Sequence, residues 1–267
     1  MASFKYINKL QGKRVLIFGG TSGMGYAVAE ALVEHHAHVI ISSSNREKLT
    51  RAVQRLRTSY PDILKDDNDI VTIPCDLSQT DALEGNLRDL FKTASENGTK
   101  KIDHVVFTAG NPMNVAGGIT GTDINIVNSL MAVRVFAPTM IAKVIATTDY
   151  VNKSVATSFT MTSGTAHIRP RKTWSIVAMF SGALQGLVSG LAVDLAPIRV
   201  NVVNPGFVQT ELASRLGTEA LEKAKDATLT KRIAQPEEIA EAYLYLMKDT
   251  SVDGTAILSD NGKVLCA

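Results

Sequence analysis

Cysteine is scarce here: only Cys75 and Cys266 occur in 267 residues. Two cysteines without a metal-ligand spacing exclude a disulfide scaffold and a zinc module, and they suit a reducing, cytoplasmic setting. An excess of charge of one sign is also missing, because the formal net charge is +2. A near-neutral chain is expected to bind neither nucleic acid nor a charged membrane surface. No uninterrupted apolar run reaches about 18 residues, so no membrane span is expected. The first residues, "MASFKYINKLQGKR", lack the apolar centre of a signal peptide. Repeats and low-complexity tracts are absent, and no Pro/Gly-rich linker divides the chain. With 45% hydrophobic and 20% charged residues, one core of ordinary size is affordable without staples.

What is present is a strict alternation of two patterns. Short runs rich in β-formers lie at 14–20, 38–44, 69–77, 102–110, 154–164, 198–206 and 254–260. Between them, helical spacing runs over 25–36, 46–60, 81–96, 122–148 and 174–196, then 219–229 and 236–247. A bend is expected at Pro138. Strand–helix alternation of this kind predicts an α/β fold. It is a Rossmann-type, doubly wound parallel sheet in three α/β/α layers, and 1–267 forms a single domain.

The first strand ends in "VLIFGGTSGMGYAVAEAL". Gly19, Gly23 and Gly25 stand between that strand and the first helix. The first glycine permits a tight turn, the second lets backbone N–H groups approach a pyrophosphate, and the third lets helix and strand close up. In this context the loop points to a dinucleotide, whereas a glycine-rich loop alone would be a plain turn.

The spacing G-x-x-x-G-x-G occurs with "CDLS" (75–78), "TAG" (108–110), "TSG" (162–164), "RVNVVNPGFVQTEL" (199–212) and "QPEEIAEAYLYLM" (235–247). Together these resemble the short-chain dehydrogenase/reductase family along nearly the whole chain. The resemblance implies that Thr21, Ser22 and Met24 sit in the pyrophosphate loop. It puts Asp76 and Leu77 beside the adenine, and Thr108, Ala109 and Gly110 under the ribose, with Phe107-Thr108 where the family has an Asn pair. Pro205, Gly206, Val208 and Thr210 match the segment beside the nicotinamide carboxamide.

After the second strand, "ISSSNREKL" has no acidic residue before Glu47. An NAD site usually presents a carboxylate there. Ser43, Ser44, Asn45 and Arg46 are suited to a 2′-phosphate instead, which favours NADP(H). The plainer alternative is a polar cap on a solvated basic helix.

The family's tetrad of Asn, Ser, Tyr and Lys is mostly missing. By the same resemblance the Tyr position is Val177 and the Lys position Ser181, and no Tyr occurs between Tyr150 and Tyr243. The Ser position survives as Ser163, and the Asn position falls on Arg134. A buried Arg there needs a partner or an anion, unless it reaches the surface. His167 is the one nearby imidazole that can be considered as an acid. A closer likeness is to a fungal branch of the family in prenylated indole alkaloid biosynthesis, of the malbrancheamide and paraherquamide type. That branch also lacks the pair, and it joins NADPH-dependent reduction of an iminium-type intermediate to a Diels–Alder cyclisation. The shared features include Arg134 before "FAP" and Trp174. The branch has an acidic residue three positions before that Trp, whereas this chain has Arg171, between Arg169 and Lys172.

The expectation is therefore an NADP(H)-dependent reductase of a small-molecule intermediate, with Arg134, Ser163, Arg171 and Trp174 at the reacting end. A cofactor-retaining cyclase and a non-catalytic NADP(H)-binding protein remain as alternatives. The apolar helices 122–148 and 174–196 imply, by the family likeness, a homodimer or homotetramer.

Overall fold

A computed structural model describes residues 5–66, 69–113, 115, 117–211 and 218–266, apart from the side chain of Ala220. Leu212, the end of the 199–212 motif, lies outside the described residues. The strands are β1 (Arg14–Phe18), β2 (His38–Ser43), β3 (Ile70–Pro74), β4 (His104–Phe107), β5 (Ser158–Thr162), β6 (Arg199–Pro205) and β7 (Ala256–Ser259). All pair in parallel, in the order β3-β2-β1-β4-β5-β6-β7. The helices are α1 (Gly23–Glu34), α2 (Arg46–Ser59), α3 (Leu83–Ala94), α4 (Ile124–Met131), α5 (Ala137–Thr147), α6 (Ser175–Asp194), α7 (Thr218–Asp226) and α8 (Pro236–Lys248).

Each observed strand is shorter than the run that predicts it. The extra residues, such as Thr108 to Gly110 after β4, leave the ladder and form loops at the C-terminal edge. The central strands read as continuous apolar runs because both faces are covered. Leu16, Phe18, Val105 and Phe107 pack on one side with residues of α3, α5 and α6. Val15, Ile17 and Val106 pack on the other with α1, α2 and α8. The order of strands reverses between β1 and β4. That reversal opens a crevice beyond their C-terminal ends, where ligands bind in folds of this kind.

One expectation needs correction, and one count needs extending. The helix over 122–148 is not simply bent at Pro138. Ala132–Phe136 is a π-helical segment joining α4 to α5. Pro138 has no N–H for the carbonyl of Arg134, and its ring would crowd that carbonyl, so the turn widens. Secondly, two helical stretches, Ile124–Thr147 and Ser175–Asp194, are long and apolar enough to cross a membrane by length and composition. Counting unbroken apolar runs misses them because small polar residues interrupt each one. In the fold both lay one side against the sheet domain.

Candidate cofactor and substrate site

The crevice is built by glycines that allow backbone to meet backbone. Gly19 has φ +88°, and a Cβ on it would lie 2.7 Å from the Ala109 nitrogen. Gly23 has φ +53°, and its Cβ would lie 3.0 Å from Cγ2 of Thr210. A Cβ on Gly25 would stand 2.5 Å from the Gly19 carbonyl oxygen and overlap the Thr108 hydroxyl. The three glycines thus draw the segments at 19–25, 108–110 and 205–210 into one cradle. Thr108 locks the second of these, its N–H and hydroxyl each reaching the Phe18 carbonyl at 2.9 Å. Ser22 stands at the start of α1 in an extended conformation, its side chain makes no capping hydrogen bond, and the first turn carries no acidic residue. The leading N–H groups and the positive end of the helix therefore face the cradle unspent, as an anion requires. Thr21, Ser22 and Met24 are half-buried around it. Val208 is buried and bridges to Ala234, which steadies the segment after Pro205 and Gly206.

At the far end the residues divide. Asn45 caps α2, its Oδ1 accepting the Lys48 N–H at 2.9 Å. Its Oδ1 serves the helix, as the capping alternative expects, and that bond leaves the Nδ2 donors chemically able to meet a cofactor. Ser43 accepts the Asn45 N–H at 3.5 Å, while Ser44 and Arg46 are exposed at the mouth. After β3, Asp76 accepts the N–H and hydroxyl of Ser78 at 2.9 and 2.7 Å. These bonds hold its carboxyl below the usual carboxylate range. Leu77 is buried in the core, so only its backbone is available to a ligand.

Where the sequence expects the reacting end lies an apolar cluster of Ala166, Val177 and Phe180, against which Met113, Met131 and Trp174 pack. Val177 and Ser181 are both buried on α6. Where the family resemblance expects a Tyr–Lys pair there is a hydroxyl–imidazole chain. Ser163 Oγ lies 3.1 Å from Ser181 Oγ, which lies 3.0 Å from Nδ1 of His167. The Gly164 carbonyl, 3.0 Å from that nitrogen, can only accept, so Nδ1 carries a proton. Tyr243 is no substitute donor. Its hydroxyl is fully buried, 2.6 Å from Thr162 Oγ1, and burial pushes its pKa up.

Arg134 rides on the π-helical segment. Its guanidinium packs against Gly110, lies 5.1 Å from the Phe180 ring centroid and donates to the Asn111 carbonyl at 2.5 Å. Nε is buried without a partner, and no carboxylate pairs with it among the described residues. Burial lowers its pKa to about 10. Arg199 shows what a structural buried arginine looks like. Its guanidinium donates to the carbonyls of Val155, Leu246 and Asp249 at 2.7, 2.7 and 2.8 Å. Among the described residues Arg134 has no such cage, so its charge is left largely uncompensated.

A family model described as an SDR-like Rossmann domain matches residues 6–266. The chain belongs to the short-chain dehydrogenase/reductase family. It is therefore an oxidoreductase of that type, on a fold that binds a nicotinamide cofactor. It is 41% identical over 261 residues to the short-chain dehydrogenase/reductase malC of Malbranchea aurantiaca, covering 96% of both chains. The solved structure of the MalC reductase/Diels-Alderase from the same organism superimposes with a TM-score of 0.88, covering 97% of this chain and 99% of that one. The short-chain dehydrogenase/reductase fsr5 of Gibberella fujikuroi is 36% identical over 272 residues, covering 99% of this chain and 100% of its own.

Sequence reasoning names Arg134, Ser163 and Trp174, all of which lie against residues of α6. It counts Ser181 only as a lost Lys, because nothing local says that residues 163, 167 and 181 meet. It misses Lys263, which the turn after β7 returns to the loop bearing Arg169 and Arg171.

Proposed function

We propose that this chain is an NADPH-dependent reductase of fungal secondary metabolism, acting on an alkaloid-like or other polycyclic intermediate without a Tyr–Lys acid. The observation that carries the reading is the glycine cradle with an uncapped helix start opening beside the Ser163–Ser181–His167 chain. Thr21, Ser22 and Met24 would hold the pyrophosphate. Asp76 and the Leu77 backbone would meet the adenine, and Ala109 and Gly110 the ribose. Pro205, Gly206, Val208 and Thr210 would meet the nicotinamide end. Ser43, Ser44 and Arg46 form a mouth free of carboxylates, which supports NADP(H) over NAD(H). When bound, the reduced nicotinamide supplies a hydride.

The chain's own residues then manage charge. Arg134 stabilises negative charge developing beside Gly110. A proton leaving Ser163 for a substrate oxygen is replaced from the Ser181 hydroxyl, and that in turn from Nδ1 of His167 while Nε2 takes a proton from solvent, so the imidazole ends neutral. For an iminium substrate hydride addition gives a neutral amine and no proton is needed. A second reading, cyclisation, is favoured by the apolar wall of Val177, Phe180 and Trp174, which would fold an apolar substrate by shape. We also place the protein in the cytoplasm as a homodimer or homotetramer, with a small molecule as its partner and neither nucleic acid nor membrane.

Two measurements test the reading. With 4-deuterated NADPH and a panel of polycyclic imines and aldehydes, deuterium should appear in product. Product formed without NADPH oxidation would favour cyclisation instead. Introducing an acid by Ser44→Asp should weaken NADPH about tenfold or more relative to NADH. Unchanged NADPH affinity would refute the cofactor assignment.

A further inference from the structure

The loop between β5 and α6 carries an unusual concentration of positive charge against an apolar wall. Arg171 lies over the Trp174 ring, 5.2 Å from its centroid, and Trp174 packs on the Val177–Phe180 cluster. Arg169 donates to the carbonyls of Lys263 and Val264 at 3.3 and 3.5 Å, tying this loop to the turn after β7. Lys263 is half-buried in that turn. Burial and the neighbouring Arg171 lower its pKa to about 8. The carboxylate nearest to it, Asp260, is engaged by the N–H groups of Gly262 and Val264 at 3.0 and 2.9 Å. Among the described residues no ion pair joins Arg134, Arg169, Arg171 or Lys263 to a carboxylate.

The turn belongs to the site. A Cβ on Gly206 would lie 2.8 Å from Cα of Asp260, so the turn abuts the segment after β6 that borders the reacting end. Arg171 is stacked on one aromatic ring of the apolar cluster and Arg134 on another. Asp260 offsets part of the charge on Lys263, but Arg169, Arg171 and Lys263 still repel one another, and an anion on the ligand relieves that cost.

We infer that the ligand of this site is an apolar ring system carrying an anionic group, a carboxylate or an equally acidic enol, which Arg171 and Lys263 recognise beside the Trp174 wall. This rests on the substrate end lying where the proposed function puts it, and it departs from a cationic substrate. Arg169 is a positioning residue, since its guanidinium holds the Lys263 turn in place.

The test uses the full chain loaded with NADPH and three probes of one shape: 2-naphthoate, neutral 2-naphthamide and cationic 2-naphthylmethylammonium. Affinities are read by titration calorimetry. Naphthoate should bind at least tenfold tighter than the amide, and the ammonium weakest. Arg171→Gln and Lys263→Met should each reduce that preference several-fold, while leaving naphthamide and NADPH affinity within twofold. Lys263→Arg should retain it. Equal binding of acid and amide, a preference that survives both substitutions, or no saturable naphthoate binding to folded, NADPH-loaded protein would each overturn the inference. NADPH binding is read separately, so loss of cofactor binding counts against the proposed function. Carboxylate preference without hydride transfer would count against the reductase alone.

Discussion

Arg134 costs stability to keep, because a cation set against Gly110 and Phe180 has one carbonyl and an unpartnered Nε. Arg134→Met should therefore fold at least as stably as the parent, gaining on the order of 1 kcal/mol, while losing most ligand turnover. Thermal melts with and without NADPH check the first part, and deuteride transfer the second. His104 makes the opposite statement. Its ring is buried on β4, with Nδ1 2.9 Å from Ser158 Oγ, and burial drives its pKa down to about 3. In the unfolded chain the imidazole takes a proton near pH 6.5. Between those values the unfolded state binds more protons, so stability falls as pH drops from about 6.5 towards 3. His104→Gln should flatten that part of the urea-midpoint profile. It should also lower stability at neutral pH, because the new side chain fits Ser158 less well. The sequence alone shows His104 within a strand pattern, but the lack of water around it is a tertiary fact.

At the scale of elements the informative one is the joint between α4 and α5. A proline four residues after Arg134 was legible as a disturbance. That it becomes a wide turn, rather than a kink, goes with the packing of Val133 and Ala137 in the core beside the sheet. Pro138→Ala restores an N–H that can bond the Arg134 carbonyl. It should raise the melting stability by about 1 kcal/mol. It should also shift the guanidinium away from Gly110 and so lower turnover, with a change in kcat larger than in KM. Unchanged kcat would show that Arg134 keeps its place without the wide turn. The loops following β1, β4, β5 and β6 were legible as one site because doubly wound sheets gather their strand ends. The turn after β7 was not, since 263 and 169 are distant in sequence and share no motif.

On the whole-molecule scale, two apolar helical stretches have sides that the sheet does not cover. Met179 and Val193 on α6 are 43% and 77% exposed, and Ile124 at the start of α4 is 67% exposed. Such surface on a chain of 28.7 kDa is expected to be buried between copies. Light scattering should give at least twice that mass. Val193→Glu combined with Met179→Lys should shift the protein towards the single-chain mass without loss of secondary structure.

Much of this protein was determined by local sequence. Period-two and period-3.6 patterns state which segments are strands and helices, and the glycine spacing states where the chain must turn tightly beside an anion. These are properties of neighbours along the chain, set by sterics and hydrogen bonding within a few residues. Other features were decided only in three dimensions. Asn45 serves a helix cap, Ser181 joins Ser163 to His167, Arg134 remains without a carboxylate, and Lys263 returns to the basic loop. Each depends on which distant groups share a low-dielectric space, and that is set by how the layers pack.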